Sequence, residues 1–412
     1  MLKAYVDCPH FCVEGFLHRS YKCIPWDITG SDIHMVSETQ RNYALDYFRV
    51  IALAMMAYAH FTYYFLSYEF GSWERFFRDV TEVAPAVFFI AFGMTMLHNA
   101  GKPTRWRSFF ELGIISLLHQ VYVYKTDVTL PNFLLFLWFM YFIVLILRPL
   151  FANRWFRVVL AVAIILVNLI IGHEKLGYFG EYPFGIMPWA FYVIIGISLG
   201  IGKPDRPAML RLLVAGLAMV ALGFIIPSVS THMGINLRLG GITKWQPTTS
   251  AYLLLTAGLS MLVYWALNQV KYSPQNVFNY RIIFVSKLLL LGTVAHYFTN
   301  LFVCHIIWLS GYSSDVRFPI PLLIVTLAMI SGGLYAFMLI LADLRSLVLK
   351  RWLDEKALYR LGWIISIVLL IISIPLFIKY KNNELVQFCS LFGMIFAGWI
   401  FMRLKKDEIV PL

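Results

Sequence analysis

Charged residues are scarce in this sequence, and their scarcity excludes an ordinary soluble domain. Asp, Glu, Lys and Arg make up only 14% of the 412 residues, whereas 60% of the chain is hydrophobic and 17% is aromatic. A soluble core does not need so much apolar surface, and repeated apolar runs of about 18 residues or more are typical of membrane spans. We therefore expect an all-α fold, a polytopic transmembrane helical bundle.

The motifs of several large enzyme classes are missing. The sequence has no HExxH motif, no GxSxG motif, no Walker loop and no GxGxxG in a suitable context. These absences disfavour a metalloprotease, a serine hydrolase and a nucleotide-driven pump. The net charge of +12 does not indicate nucleic-acid binding, because no basic patch lies in a recognition motif. The charge fits Lys and Arg retained in the cytoplasmic loops of a membrane protein.

Cysteines are few, and they do not form paired CxxC knuckles. Cys304 and Cys389 lie in apolar runs, where a free cysteine usually packs as a small hydrophobe. The other three lie near the N-terminus, where a zinc site is the less favoured alternative, and we expect no metal. Residues 1–34 also lack the apolar region of a signal peptide. We interpret residues 1–40 as a poorly ordered extension, with Met35 as an alternative start, before a membrane domain over 41–412.

Apolar segments recur along the membrane domain, and their lengths predict about 11–12 spans. We place them near 45–66, 83–99, 108–124, 130–150, 156–172, 184–201, 208–228, 249–269, 283–309, 318–342, 361–379 and 386–403. The short connections between them predict one bundle of antiparallel neighbours.

The loops alternate in charge. Basic loops lie at 102–107 (KPTRWR), 148–157, 203–206 and 345–360, whereas the loops at 67–82 and 173–183 are acidic or neutral and rich in aromatics. Because cytoplasmic loops carry the excess of Lys and Arg, this alternation predicts an integral, multi-pass protein with a cytoplasmic N-terminus.

The first span carries three ionisable residues on one stripe. In LDYFRVIALAMMAYAHF (45–61), Arg49 and His60 are about 20° apart around a helix and about 16.5 Å apart along it, and Asp46 is within about 40° of His60. A simpler interpretation of Asp46 and Arg49 is that they form an i, i+3 ion pair at the membrane interface. His60 is either a satisfied core histidine or a functional group, and an imidazole deep in a span favours function.

The sequence on and around this stripe resembles two groups of membrane enzymes. The R-x10-H pattern of the first helix resembles the acyltransferase-3 type of membrane acyltransferase. The stretches RNYALDYFRVIALAMMAYAHF (41–61) and VAPAVFFIAFGMTM (83–96) are more similar to the catalytic domain of the heparan-α-glucosaminide N-acetyltransferase family. YPFGIMPWAFYVIIGISLGIG (182–202) and KWQPTTSAYLLLTAG (244–258) resemble later motifs of that family. The Gly that usually follows Arg is Val50 here, and the late His motif is matched only loosely, by LGTVAHYFTNLFVCH (291–305).

The resemblance implies transfer of an acetyl or other acyl group across the membrane, from cytoplasmic acyl-CoA to a hydroxyl or amine of an external acceptor. Arg49 offers a planar cation suited to a CoA phosphate. His60 is expected to act as a general base on the acceptor or to carry the acyl group transiently. His305, near the external end of its span, is the best match to the late family histidine and the second catalytic candidate.

Further candidates lie at both ends of the bundle. Lys287 either snorkels or binds a CoA phosphate, and Arg105 lies in the basic loop near Arg49. Asp79, in the external loop, either orients an imidazole or is a solvated charge.

Two other groups have structural alternatives. Glu111 most simply pairs with Arg107, one turn earlier. His119 is a further site candidate. His296 and His305 are nine residues apart and therefore on opposite helix faces, so at most one of them is expected beside His60.

The main alternative function is a secondary transporter of a small solute, because polar residues in spans also line transport pathways. A structural membrane subunit would leave the stripe on the first span unexplained. As partners we expect the lipid bilayer, acyl-CoA and a sugar, glycan or small-molecule acceptor, and no nucleic acid. A homo-oligomer is compatible with the sequence.

Overall fold

The computed structural model describes residues 42–65, 82–103, 105–124, 132–171, 184–201, 205–232, 249–272, 276–287, 289–290, 292–293, 296, 328, 331–333, 335 and 355–379. All of them belong to the unit Asn42–Leu412. The predicted extension over 1–40 and the predicted last span over 386–403 lie outside the described residues. Within the described ranges the regular secondary structure is helical throughout, which confirms the all-α prediction.

Most of the described helices match the apolar segments predicted from sequence, whereas the predicted spans over 283–309 and 318–342 are described only in part. In chain order they are α1 Tyr43–Phe65, α2 Ala84–Ala100, α3 Arg105–Tyr124, α4 Phe133–Ile146, α5 Arg148–Ala152, α6 Arg154–Ile170, α7 Ile186–Gly200, α8 Arg206–His232, α9 Ser250–Gln269, α10 Val277–Lys287 and α11 Glu355–Lys379.

Several helix starts are set by polar side chains that accept hydrogen bonds from free backbone N–H groups. Asn132 accepts from the N–H of Leu135 at 2.8 Å before α4, and Thr249 accepts from the N–H of Tyr252 at 3.1 Å before α9. The predicted span over 130–150 is wrong at its C-terminal end, because α4 stops at Ile146 and the short α5 follows. Pro149 explains the break, since proline lacks the N–H that a continuing helix needs.

The centre of the bundle contains α1, α2, α7 and α9. α2 packs on α7 at a very close approach, made possible by Gly93, Gly196 and Gly200. A Cβ atom on Gly196 would overlap the backbone of α2, where the Gly93 Cα would be only 2.9 Å away. Small residues at such crossings allow helix backbones to pack tightly where apolar burial from water does not drive association.

The outer helices present large apolar side chains outward. On α6, α8 and α11 the exposed residues include Trp155, Val159, Val162, Leu166, Ile170, Leu210, Val214, Leu217, Phe224, Ile225, Ile364, Ile367, Val368 and Ile371. Among the described helices, Arg206–Ser228 and Ser250–Gln269 are long and apolar enough to cross a membrane, and four others are apolar but shorter. A soluble monomer rarely exposes such continuous apolar surface, so these faces support association with a membrane.

Candidate functional site

The polar stripe predicted on the first span lies on α1, which packs against α2, α9 and α10. Asp46 is buried, with 4% of its surface exposed, and its Oδ1 accepts a hydrogen bond of 2.6 Å from the Ser286 hydroxyl on α10. Arg49 and His60 are half-buried. The carboxylate is therefore tied to a neighbouring helix, which fixes the rotation of α1.

The described residues between Ser286 and His296 follow α1 in the same direction. Three contacts come in the same order along both segments: Asp46 with Ser286, Leu53 with Gly292, and His60 with His296. On α1 these residues are seven apart, so they lie two turns apart on nearly the same face. At Gly292 a Cβ atom would come within 2.6 Å of Leu53, so the two segments are in close contact between the two polar ends.

His60 lies directly against a second histidine. The ring centroids of His60 and His296 are 5.1 Å apart, with 42° between the ring planes. Both helical segments contribute one imidazole, and His296 is completely buried. No side chain fits between rings at this separation.

A third imidazole, His119 of α3, completes a cluster that we call the histidine cluster (His60, His119 and His296). His119 is close enough to interact electrostatically with both other rings and is 1% exposed. Its ring packs edge-on against Phe133 of α4, with centroids 5.4 Å apart. Side chains from three separate parts of the chain therefore converge at one place in the bundle interior.

A buried polar network holds the α3–α4 side of the cluster. Asn132, which also lies beside His119, donates from Nδ2 to Oε1 of Gln120 at 2.6 Å. The Ser116 hydroxyl donates to the carbonyl oxygens of Leu112 and Leu134 at 2.6 and 2.9 Å. These bonds join α3 to the start of α4 and position His119.

The histidine cluster has the chemistry of a proton acceptor or a nucleophile. A neutral imidazole accepts a proton at one nitrogen and donates from the other, and it also forms acyl intermediates. Within the described ranges, no group of His, Cys, Asp and Glu has an arrangement that could hold a metal ion.

The predicted donor-end residues Arg49, Arg105 and Lys287 lie on three separate helices. Arg105 is exposed at the start of α3, and its carbonyl oxygen accepts a hydrogen bond of 3.4 Å from the Tyr141 hydroxyl. Lys287 ends α10, but its side chain lies outside the described residues. Arg107 Nε and Glu111 Oε1 are 2.7 Å apart, which confirms the predicted i, i+4 pair and gives Glu111 a structural role.

An aromatic group surrounds the N-terminal end of α1, and sequence reasoning missed it. The Tyr47 hydroxyl donates to Oδ1 of Asn279 at 2.6 Å, and Tyr43 stacks on Tyr272 with ring centroids 5.7 Å apart. Burial raises the pKa of Tyr272, and the neighbouring Tyr47 and Tyr264 add to the effect. Its neutral hydroxyl donates to the carbonyl oxygen of Leu267 at 2.7 Å. The i, i+4 spacing of Tyr43 and Tyr47, which places both rings on one face of the helix, is the sequence feature that could have indicated this aromatic group.

Two predicted catalytic residues, His305 and Asp79, lie outside the described residues and stay predictions. His296, which the sequence ranked below His305, is the histidine found against His60. His98 is exposed in the last turn of α2, as the sequence predicted for a histidine at a helix C-terminus.

The stretch KWQPTTSAYLLLTAG has structural roles in its described part. Tyr252 donates its hydroxyl hydrogen to the carbonyl oxygen of Glu82, just before α2. Thr256 shares a 2.6 Å hydrogen bond with the buried hydroxyl of Tyr192, and a Cβ atom on Gly258 would come within 2.7 Å of the Gly216 carbonyl oxygen. These residues hold α9 against its neighbours.

The chain was compared with protein-family models, with curated proteins and with solved structures. None of the three comparisons gives a significant match.

Proposed function

We propose that this protein is an integral, multi-pass membrane acyltransferase. In this proposal, residues 41–412 move an acetyl or other acyl group from cytoplasmic acyl-CoA to a hydroxyl or amine of an external acceptor, a sugar or glycan. The observation that carries the proposal is the position of His60, which is on the same stripe of α1 as Arg49 and lies against a buried second imidazole, His296. The resemblance of the first two helices to heparan-α-glucosaminide N-acetyltransferases and acyltransferase-3 enzymes supports the same chemistry.

The two ends of the stripe suit two substrates. Arg49 lies about 16.5 Å from His60 along α1, which is about half the thickness of a bilayer core. The guanidinium of Arg49 is suited to a CoA phosphate, with Lys287 and Arg105 as further cations at the same end. The acyl thioester then extends along the bundle toward the histidine cluster, where the acceptor enters from the other side.

In the transfer step, His60 acts as the general base. The acceptor oxygen or nitrogen forms a bond to the thioester carbonyl carbon while His60 takes the acceptor's proton. The carbon–sulfur bond breaks, and the CoA thiolate leaves and takes up the proton. In a two-step variant, His60 itself first receives the acyl group and then passes it to the acceptor. We assign supporting roles on the acceptor side to His305 and Asp79.

The experiment that tests this function is acetyl-CoA cleavage by the purified protein in detergent. Water replaces the acceptor slowly in such a site, so we expect free CoA, measured chromatographically, to form above the rate without protein. A matched preparation of the His60→Asn variant supplies the blank. A protein that binds solutes only for transport would produce no CoA.

The second candidate function is a proton-coupled secondary transporter, and the histidine cluster favours it as well. Chains of ionisable groups within spans serve as proton relays in transporters. This candidate expects a pH gradient across proteoliposomes to drive solute uptake, and it expects no cleavage of acetyl-CoA. The two readouts therefore separate the candidates.

Replacing Arg49 tests the donor end. We expect Arg49→Ala to weaken acetyl-CoA binding on the order of tenfold to a hundredfold, because a charged hydrogen bond contributes about 1.5–3 kcal/mol. Arg49→Lys should recover only part of the affinity, since the planar fork is lost. Isothermal titration with acetyl-CoA measures both, and Arg154→Ala, which removes an exposed arginine at the start of α6, is the control. An unchanged affinity of Arg49→Ala for acetyl-CoA would place the donor site elsewhere, and Lys287 would be the next residue to test.

The orientation of the bundle follows from the charges of its loops. We expect single cysteines placed at 102–107 and 345–360 to resist a membrane-impermeant thiol reagent in intact cells, and cysteines at 67–82 and 173–183 to react. A cysteine-free background removes signal from the native cysteines, and permeabilised cells show that each site can react. Labelling of 345–360 in intact cells would contradict the orientation.

A further inference from the structure

The histidine cluster contains a group that the proposed transfer step does not use. His296 is completely buried, yet it is a polar imidazole in ring contact with His60 rather than an apolar side chain. A buried imidazole costs free energy unless its surroundings satisfy it. A purely structural residue at this position is more simply apolar, so the pair of imidazoles requires a separate explanation.

A histidine base generally needs a second group that orients its ring. In catalytic triads a carboxylate accepts the hydrogen bond of the nitrogen that faces away from the substrate and so fixes the tautomer. Here the described side chain in ring contact with His60 is another imidazole, and the two histidine rings that interact with His296 electrostatically are His60 and His119. An imidazole fixes a tautomer as a carboxylate does, but it also accepts and returns a proton.

Two features make His296, rather than His119, the residue expected to orient the His60 ring. The His296 ring contacts His60, whereas the described ring contact of His119 is with Phe133. His296 also lies on the segment that follows α1 through the contacts at Ser286 and Gly292, so its position relative to His60 is fixed at more than one place. The backbone of Gly292 and Thr293, one turn earlier, lies beside its ring.

We propose that His296 is a positioning residue that holds His60 in one tautomer and shares the proton charge that His60 takes up. This proposal deepens the proposed function and rests on it. As His60 takes the acceptor's proton at one nitrogen, the proton on its other nitrogen shifts toward His296, so that the positive charge is shared between the two rings and neither ring carries it alone. When the carbon–sulfur bond breaks, His60 gives the acceptor's proton to the CoA thiolate, so the pair ends neutral.

The test combines kinetics with a spectroscopic measurement that needs no acyl donor. In His296→Gln we expect kcat for acetyl-CoA cleavage to fall by on the order of 10²-fold, with KM for acetyl-CoA unchanged. In His296→Ala, free imidazole should restore part of kcat, because it can occupy the vacated space. His98→Gln, at an exposed histidine, is the matched control and should behave as wild type. A kcat within twofold of wild type in His296→Gln, or a loss in His296→Ala that imidazole does not restore, would overturn the proposal.

The spectroscopic arm separates this inference from the proposed function. With histidine-selective ¹⁵N labelling, and the His60 signals assigned by their loss in His60→Asn, the ring shifts report which nitrogen of His60 carries the proton. We expect the His60 shifts to change in His296→Gln and to stay unchanged in His98→Gln. Unchanged His60 shifts in His296→Gln overturn the positioning role whether or not the protein cleaves acetyl-CoA. A wild-type protein that cleaves no acetyl-CoA overturns the proposed function and the catalytic part of this inference, leaving only the contact between the rings.

Discussion

Replacing His60 with Asn is expected to remove acyl transfer while leaving expression, helical content and acetyl-CoA binding intact. Loss of a general base lowers the rate on the order of 10²–10⁴-fold, and loss of an acyl-carrying nucleophile lowers it further. Asn keeps a polar group of similar volume against His296, so the cluster keeps its packing. The measurement is kcat for acetyl-CoA cleavage, beside acetyl-CoA affinity measured by titration.

The matched control for this variant is His98→Asn, because His98 is exposed at the end of α2 and outside the histidine cluster. We expect wild-type rates there. A His60→Asn protein that cleaves acetyl-CoA at nearly the wild-type rate would make His60 a core histidine, and His305 or His119 would then be the next residues to test.

Adding one methyl group at Gly196 is expected to destabilise the protein. The new Cβ atom would overlap the backbone of α2 near Ile90 and Gly93, and backbone atoms cannot move aside as a flexible side chain can. Forcing extra volume into a closely packed contact costs about 1–3 kcal/mol, and more where the backbone must shift. The thermal midpoint of Gly196→Ala in detergent should therefore fall by several degrees.

Gly332→Ala is the control for this prediction, because a Cβ atom there would meet no other atom within 4 Å. Ala is favoured over Gly inside a helix by roughly 0.5–1 kcal/mol, so this variant should match or slightly exceed wild-type stability. If Gly196→Ala is as stable as Gly332→Ala, α2 and α7 do not pack as closely as described.

Features within a single helix were predictable from the sequence. Apolar runs gave most helix positions within a few residues, because length and composition are local properties. The stripe of Asp46, Arg49 and His60 followed from helical periodicity alone. The Arg107–Glu111 pair was predictable for the same reason, since its members are one turn apart.

Contacts between distant helices were not predictable in this way. His60 and His296 are 236 positions apart in the sequence, and their contact depends on which helices pack together and at what rotation. Periodicity showed that His296 and His305 face opposite ways, but it could not show which one faces α1. The contacts of Ser286 and Gly292 with α1 fix the rotation of this segment, and His296 is the histidine that faces α1.

A family-like motif also proved ambiguous when interpreted from sequence. The described residues of KWQPTTSAYLLLTAG cap α9, bind the chain before α2 and allow close helix packing. Short motifs in membrane helices mix packing residues with site residues, because small and hydroxyl-bearing side chains serve both purposes. The arrangement of the helices around α1 is what distinguishes packing residues from site residues.

The central claim is that acyl groups cross the membrane by covalent transfer at the histidine cluster. The most direct measurement uses proteoliposomes that contain glucosamine, a probe with both an amine and hydroxyls. Acetyl-CoA labelled in its acetyl group is supplied outside, so that only protein molecules with their donor side facing outward can use it. We expect the label to accumulate inside as acetylated sugar or acetate, the CoA to remain outside, and both signals to disappear in His60→Asn. Label that stays outside as intact acetyl-CoA with the wild-type protein, or that enters equally well with His60→Asn, would contradict the account.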